Sequence, residues 1–276
     1  MAGSPLITTS HNRAVANARR LTKRAFRRTD RRFLVEGPTG VAEAVADAAG
    51  LLELFVTPEA AARYAVLVAA AAGAGTVVHS VTPSVLADLA ETVTPQGIVG
   101  VAALRDITLA ELAAAAPRLV VVLAAVRDPG NAGTILRTAD AAGADAVVFS
   151  AGSVDPYNPK CVRSSAGSVF HVPFVIEAAL DSALRDLRGA GMRVLATSGS
   201  GAVDLYSTEL SGPVAWVLGN EAWGLPEELV VLADESVRVP IHGRAESLNL
   251  ATAAAVCLYE SARAQRAPGG CRGDGR

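Results

Sequence analysis

The sequence lacks the features that would tie it to a membrane, a metal or an oxidising compartment. No window approaches the run of about 18 uncharged apolar residues that a membrane-spanning helix needs, although 51% of the 276 residues are hydrophobic. The first ten residues, MAGSPLITTS, have neither the cationic start nor the apolar stretch of a secretory leader. A cytoplasmic protein is expected. Cysteine is scarce: Cys161, Cys257 and Cys271 are scattered and form no C-x-x-C pair, a pattern of reduced thiols in a reducing compartment. The four histidines, His11, His79, His171 and His242, lie far apart without ligand spacing, so no metal site is expected. There is no internal repeat and no low-complexity domain. With 19% charged residues, the composition suits a packed globular core rather than general disorder.

The net charge of −2 conceals a strong asymmetry. Residues 13 to 32 hold nine cations and the single acid Asp30, a charge of +8, which leaves −10 for the rest of the chain. Charge concentrated in this way is an electrostatic footprint for a polyanion. Arg19, Lys23 and Arg27 recur at a spacing of four, flanked by Arg20, Arg24 and Arg28. On a helix these residues form one broad basic stripe. Like charges at that spacing weaken a helix, and a polyanionic partner would relieve the repulsion.

Short apolar runs then alternate with helix-like segments. FLVEG (33–37), LLELFVT (51–57), TVVHS (76–80) and IVGVAAL (98–104) read as strands, and 38–49 reads as a helix with Pro38 near its start. These elements make residues 1–104 a small basic α/β domain. The Ala-rich stretch 105–118 reads as a helical linker. A second series begins at Leu119: LVVVLA (119–124), AVVFS (146–150), MRVLATS (192–198), PVAWVLG (213–219) and SVRVPI (236–241). Near-continuous apolar strands between helices indicate a parallel sheet covered on both faces. A long helix over 246–265 closes this domain, 119–266, and residues 267–276 read as a disordered tail.

In an open parallel sheet, ligands bind where the carboxyl ends of strands pass into loops. Three such loops are rich in glycine and polar residues. In VRDPGNAGTILRTADAAGAD (126–145), Asn131 sits near a helix start, where its side chain can cap exposed amides, and Arg137 follows almost two turns later. In VLGNEAWGLPEEL (217–229), Gly219 allows close approach to the backbone. Glu221 is an unusual charge at a buried strand's end, because Pro226-Glu227-Glu228 looks like the true helix start. In VPIHGRAESLNLATAAAV (239–256), capping accounts for Ser247 but not for the second polar residue, Asn249.

In order and spacing, Asn131 with Arg137, then Gly219-Asn220-Glu221, then Ser247-Leu248-Asn249-Leu250 resemble the three signature motifs of the SpoU/TrmH family. KCVRSSAGSVFHVP (160–173) resembles the family's R-x-S-x-G segment. The resemblance covers roughly residues 119 to 265, and the front of the chain is similar to the L30e-like substrate-binding domain that many members carry. It implies an α/β SPOUT domain with a deep trefoil knot, a rare exception to the rule that chains avoid threading, and S-adenosylmethionine-dependent methylation of an RNA ribose 2′-hydroxyl in a homodimer. By position it implies catalytic roles for Asn131, Arg137, Glu221, Ser247 and Asn249. The implied cofactor contacts are Thr197, Ser198, Gly199, Leu218, Gly219, Asn220, Ile241, Ser247, Leu248 and Leu250. Arg163 matches an arginine that reaches the substrate or the partner subunit's site. RNA would lie on Arg19, Arg20, Lys23, Arg24, Arg27 and Arg28, with 23S rRNA expected ahead of tRNA.

An arginine is effectively always protonated, so Arg137 is expected to anchor phosphate through its paired donors and not to serve as a base. Two rival readings make other demands. A Rossmann-type enzyme needs G-x-G-x-x-G after its first strand, and the loop after 119–124 offers only Gly130 and Gly133. A non-catalytic RNA-binding protein on the same scaffold predicts lost motif residues, and here all are present.

Overall fold

The computed structural model describes residues 5–47 and 50–266; the tail expected at 267–276 lies outside them. Two compact units form, one from residues up to 105 together with 157–170, the other from 106–156 and 171 onward.

The first unit begins with α1 (Arg13–Arg20) and α2 (Arg24–Asp30), followed by β1 (Arg32–Glu36) and α3 (Pro38–Ala46). Next come β2 (Leu51–Val56), α4 (Pro58–Arg63), α5 (Ala65–Gly73), β3 (Val77–Ser80), α6 (Pro83–Ala87) and β4 (Ile98–Ala103). Its sheet has the order β1-β4-β2-β3, with β4 antiparallel to both neighbours. The expected continuous basic helix is broken. The chain turns at 21–23, where Leu21 is buried in the core with Val15 and Ala18. Arg27 is only 3% exposed. Its Nη1 donates 2.8 Å bonds to the carbonyls of Leu21 and Thr22. Those oxygens follow the end of α1 and need donors, so Arg27 serves as a C-terminal clamp and leaves the basic stripe.

The second unit holds α7 (Leu109–Ala114), β5 (Leu119–Leu123), α8 (Pro129–Ala142) and β6 (Ala146–Ser150). The chain then passes to the first unit, where α9 (Pro159–Ser164) packs against β1. The second unit resumes with β7 (Phe174–Ala178), α10 (Leu180–Gly189), β8 (Arg193–Thr197), β9 (Val203–Asp204), β10 (Val214–Leu218), α11 (Glu227–Val230), β11 (Glu235–Arg238) and α12 (Leu250–Arg266). Its seven strands run in the order β7-β6-β5-β10-β8-β11-β9, and every pairing is parallel. β5, β6 and β10 are buried at every position, the expected consequence of helices on both faces.

Several boundaries differ from the sequence reading. The stretch 105–118 is no plain linker: Thr108 and Glu111 form a capping box on α7, and Leu112 enters the core. Residues 157–170 belong to the first unit. β7 and β9 had no counterpart among the expected strands. α12 starts at Leu250 instead of 246 because Asn249 caps it. Buried Trp216 of β10 donates to Ser261 Oγ of α12 at 2.8 Å, which fastens that helix to the middle of the sheet.

Candidate active site

Within the second unit, the loops after β5, β10, β8 and β11 leave the same end of four adjacent parallel strands. α8 follows the first loop with a start written in the sequence. Asp128 Oδ1 accepts from Asn131 N at 2.7 Å, and Pro129 occupies the first turn, the favoured arrangement for a helix N-terminus. The expected capping role of Asn131 thus falls to Asp128, and the Asn131 side chain is released for other contacts.

Glu221 uses that freedom. Its Oε1 accepts from Asn131 Nδ2 at 3.3 Å and from Asp128 N at 3.2 Å, while Oε2 accepts from Arg127 N at 3.3 Å. On the other side, Asn249 Nδ2 donates to Asn131 Oδ1 at 3.1 Å. Asn249 Oδ1 accepts from Ala251 N at 2.9 Å and Thr252 N at 3.3 Å at the head of α12. Both amide orientations follow from chemistry. Backbone N–H groups can only donate, so the oxygen of Asn249 must face α12 and its nitrogen must face Asn131. A carboxylate can only accept, so Asn131 must turn its nitrogen to Glu221. One relay therefore joins three segments far apart in sequence. Among the described residues, each amide has one N–H without a hydrogen-bond partner.

The loop after β10 is rigidly closed. Asn220 and Gly224 exchange two backbone bonds of 2.9 Å. Asn220, 5% exposed, donates Nδ2 to the carbonyl of Ala125 at 2.7 Å and accepts from Ala222 N at 2.8 Å. A side chain on Gly219 would lie 2.4 Å from the carbonyl carbon of Gly224, so only glycine fits. Ala125 is held at φ +54°, a conformation costing a residue with a side chain roughly 1–2 kcal/mol. The bonds from its N–H to Ser150 Oγ (3.0 Å) and from Asn220 to its carbonyl keep it there. Trp223 stands at the tip of this loop, 54% exposed, with the Arg127 guanidinium 5.0 Å from its ring centroid.

The remaining expected residues sort into groups. Thr197 at the end of β8 donates to the carbonyl of Val217 at 3.0 Å, beside buried Leu218. Ser198 N donates to the carbonyl of Val237 at 3.0 Å. A Cβ on Gly199 would meet nothing within 4 Å, so Gly199 borders open space, whereas Gly201 lies against the backbone of Val237 and Arg238. Ile241 to Ser247 form an exposed loop, and Leu248 and Leu250 are half-buried. Arg137 is exposed on α8, six residues past Asn131 and about 9 Å along the axis. It makes no hydrogen bond or ion pair among the described residues, and none joins it to the relay. Arg163 belongs to the first unit, where its Nη1 pairs with Glu36 at 3.3 Å. Arg19, Arg20, Lys23, Arg24 and Arg28 are exposed, and Arg20 covers the Phe26 ring at 4.2 Å. Sequence reasoning missed Asp128, Arg127 and Trp223. The Asp-Pro pair before an apolar-periodic stretch was a readable signal for the first; the other two depend on a contact between distant segments.

Known proteins resemble this chain along most of its length. Residues 118–259 match the SpoU rRNA methylase family, and residues 12–100 match the MRM3-like substrate binding domain. The 23S rRNA (guanosine(2553)-2′-O)-methyltransferase RlmP of Bacillus subtilis is 34% identical over 253 residues, covering 92% of this chain and 97% of the relative. An AdoMet-bound rRNA methyltransferase from Sinorhizobium meliloti superposes with a TM-score of 0.83 at 35% identity, covering 94% of this chain and 97% of that one. The SpoU methyltransferase AviRb from Streptomyces viridochromogenes, in complex with AdoMet, gives a TM-score of 0.77 at 28% identity over 92% of this chain and 98% of its own. With its motifs joined in one relay and its relatives matched along nearly their whole length, this protein belongs to the SpoU rRNA methylase family.

Proposed function

We propose that the chain methylates a ribose 2′-hydroxyl of 23S rRNA with S-adenosylmethionine as donor. The observation that carries this reading is the Glu221–Asn131–Asn249 relay. It leaves two amide N–H donors beside loops able to receive a nucleoside. Two features of those loops support the cofactor reading: Gly199 borders open space, and Ile241, 38% exposed, offers an apolar surface. Thr197 to Gly199, Leu218 to Asn220, Ile241 and Ser247 to Leu250 would hold it. S-adenosylmethionine supplies an electrophilic methyl group on a sulfonium.

The chain's own residues position the acceptor. The free N–H groups of Asn131 and Asn249 and the Ser247 hydroxyl orient the ribose oxygen for in-line approach at about 3–3.5 Å. Glu221, both oxygens engaged, fixes Asn131. Arg137 grips the RNA phosphate and stabilises the developing alkoxide, and the hydroxyl proton passes to water or a phosphate oxygen. The exposed cations of α1 and α2, with Arg163, add phosphate contacts. The enzyme acts as a cytoplasmic homodimer without a metal. Purified protein incubated with labelled S-adenosylmethionine and a 23S rRNA transcript should place label on one ribose. Mapping 2′-O-methylation in rRNA and tRNA from cells with and without the gene should show one rRNA position lost. A missing tRNA methyl group with intact rRNA would overturn the substrate assignment.

A further inference from the structure

The chain has two tryptophans, and they are treated in opposite ways. Trp216 is fully buried and hydrogen-bonded inside the core. Trp223 is held out at the tip of the 220–224 loop with 54% of its surface exposed. Indole is among the largest apolar groups and is normally well buried, so an exposed one on a rigid loop calls for a partner. The loop cannot fold the ring away, because the paired backbone bonds of Asn220 and Gly224 and the Asn220 side chain lock it. The Arg127 guanidinium lies 5.0 Å from the ring centroid. The backbone N–H of Arg127 is donated to Glu221 Oε2, which places the Arg127 backbone beside the relay. Glu221 therefore anchors both the relay that faces the ribose and the residue that backs the indole.

We propose that Trp223 is a stacking platform for a nucleobase of the substrate RNA, with the Arg127 guanidinium as its cationic backing. This rests on the reading of the site as an RNA methyltransferase centre and adds a positioning residue to it. Specific RNA sites are mostly single-stranded loops, bulges and ends, and their unstacked bases find a replacement on aromatic faces. The indole supplies that face two residues from Glu221. The guanidinium stiffens it through a cation–π contact and adds positive charge where the phosphate backbone must pass. Stacking is tolerant of base identity, so Trp223 sets the grip on the nucleotide and not the choice of base.

The test uses the full-length protein and an in vitro transcript of 23S rRNA. Replacing Trp223→Ala should raise KM for the RNA by roughly 5- to 150-fold with a much smaller change in kcat. Trp223→Phe should recover most of the loss, and S-adenosylmethionine affinity measured by calorimetry should stay at the wild-type value. Acrylamide quenching supplies a direct signature, because Trp223 is the accessible fluorophore and Trp216 is not. RNA should abolish the quenchable fraction in wild type and change nothing in Trp223→Phe. A wild-type KM in Trp223→Ala overturns the proposal. So does a Trp223 shielded before RNA is added, or an altered sedimentation coefficient in Trp223→Ala, since either makes the ring a subunit contact. If the wild type methylates no ribose but RNA still shields Trp223, the catalytic reading fails while the platform stands.

Discussion

Asn249 has two separable tasks, and one substitution divides them. Its oxygen caps α12 and its nitrogen holds Asn131. Asn249→Asp keeps an acceptor at the helix head, where a carboxylate caps as well as an amide and is favoured by the helix dipole. It removes the donor at 3.1 Å and sets an acceptor against Asn131 Oδ1. Flipping the Asn131 amide gives no relief, since its oxygen would then face Glu221. A lost hydrogen bond with an acceptor left facing an acceptor costs about 1–3 kcal/mol, equal to roughly 5- to 150-fold in kcat/KM. Asn249→Ala loses both tasks and should also lower stability by about 1 kcal/mol, or about 2–4 °C in Tm for a domain of this size. The assays are methyl transfer to a 23S rRNA transcript and calorimetric melting. Full activity in Asn249→Asp would refute the division.

Five further outcomes follow from the structure. Gly219→Ala forces a Cβ to within 2.4 Å of the Gly224 backbone; it should cost about 1–3 kcal/mol of stability and abolish S-adenosylmethionine binding by calorimetry. Arg137→Lys should keep most RNA affinity but slow turnover, and an unchanged kcat would rule out the geometric role. Arg27→Ala should lower stability by about 2–3 kcal/mol through two lost charge-assisted bonds, seen in denaturant unfolding. Arg19→Ala or Lys23→Ala should leave unfolding unchanged and flatten the salt slope of RNA binding by about 0.7–0.9 each. Burial pushes the Cys257 thiol from 9.0 up to about 12. Between those values the unfolded chain ionises there and the native chain does not, so stability should fall as pH rises through 9 and above. The native thiol should resist alkylation at neutral pH, and mass spectrometry would detect any modification.

The sequence disclosed the elements whose signal is local. β5, β6 and β10 are apolar along their whole length because helices cover both faces, and a run such as LVVVLA can be little else. β7 escaped because its Glu177 is a non-glycine residue at φ +53° and interrupts the pattern. The basic stripe misled because charge spacing carries no information about a turn. Buried Leu21, which sets that turn, looks like any helical leucine. In the site, the motif residues were identifiable by their order and spacing, and the structure joins Asn131, Glu221 and Asn249 by hydrogen bonds. What remained hidden was the division of labour. Asp128 and Asn249 cap helices, which leaves Asn131 to face the pocket, and that follows only from which side chain wins each free N–H. Arg137 shows the reverse limit: its position was readable, but no hydrogen bond or ion pair holds it among the described residues.

The strand order of the second sheet bears on how the protein comes into being. β10 fills the slot between β5 and β8, yet it is translated after both. Until about residue 218 has left the ribosome, two apolar edges wait without their neighbour, exposed to wrong pairing with any passing strand. The nascent chain must hold a gap of one strand's width and admit β10 from within before β11 and α12 follow, so completion is slow. A message truncated before Val214 should thus yield insoluble protein and not a smaller soluble domain, which makes ribosomal pausing upstream of that codon a hazard peculiar to this architecture.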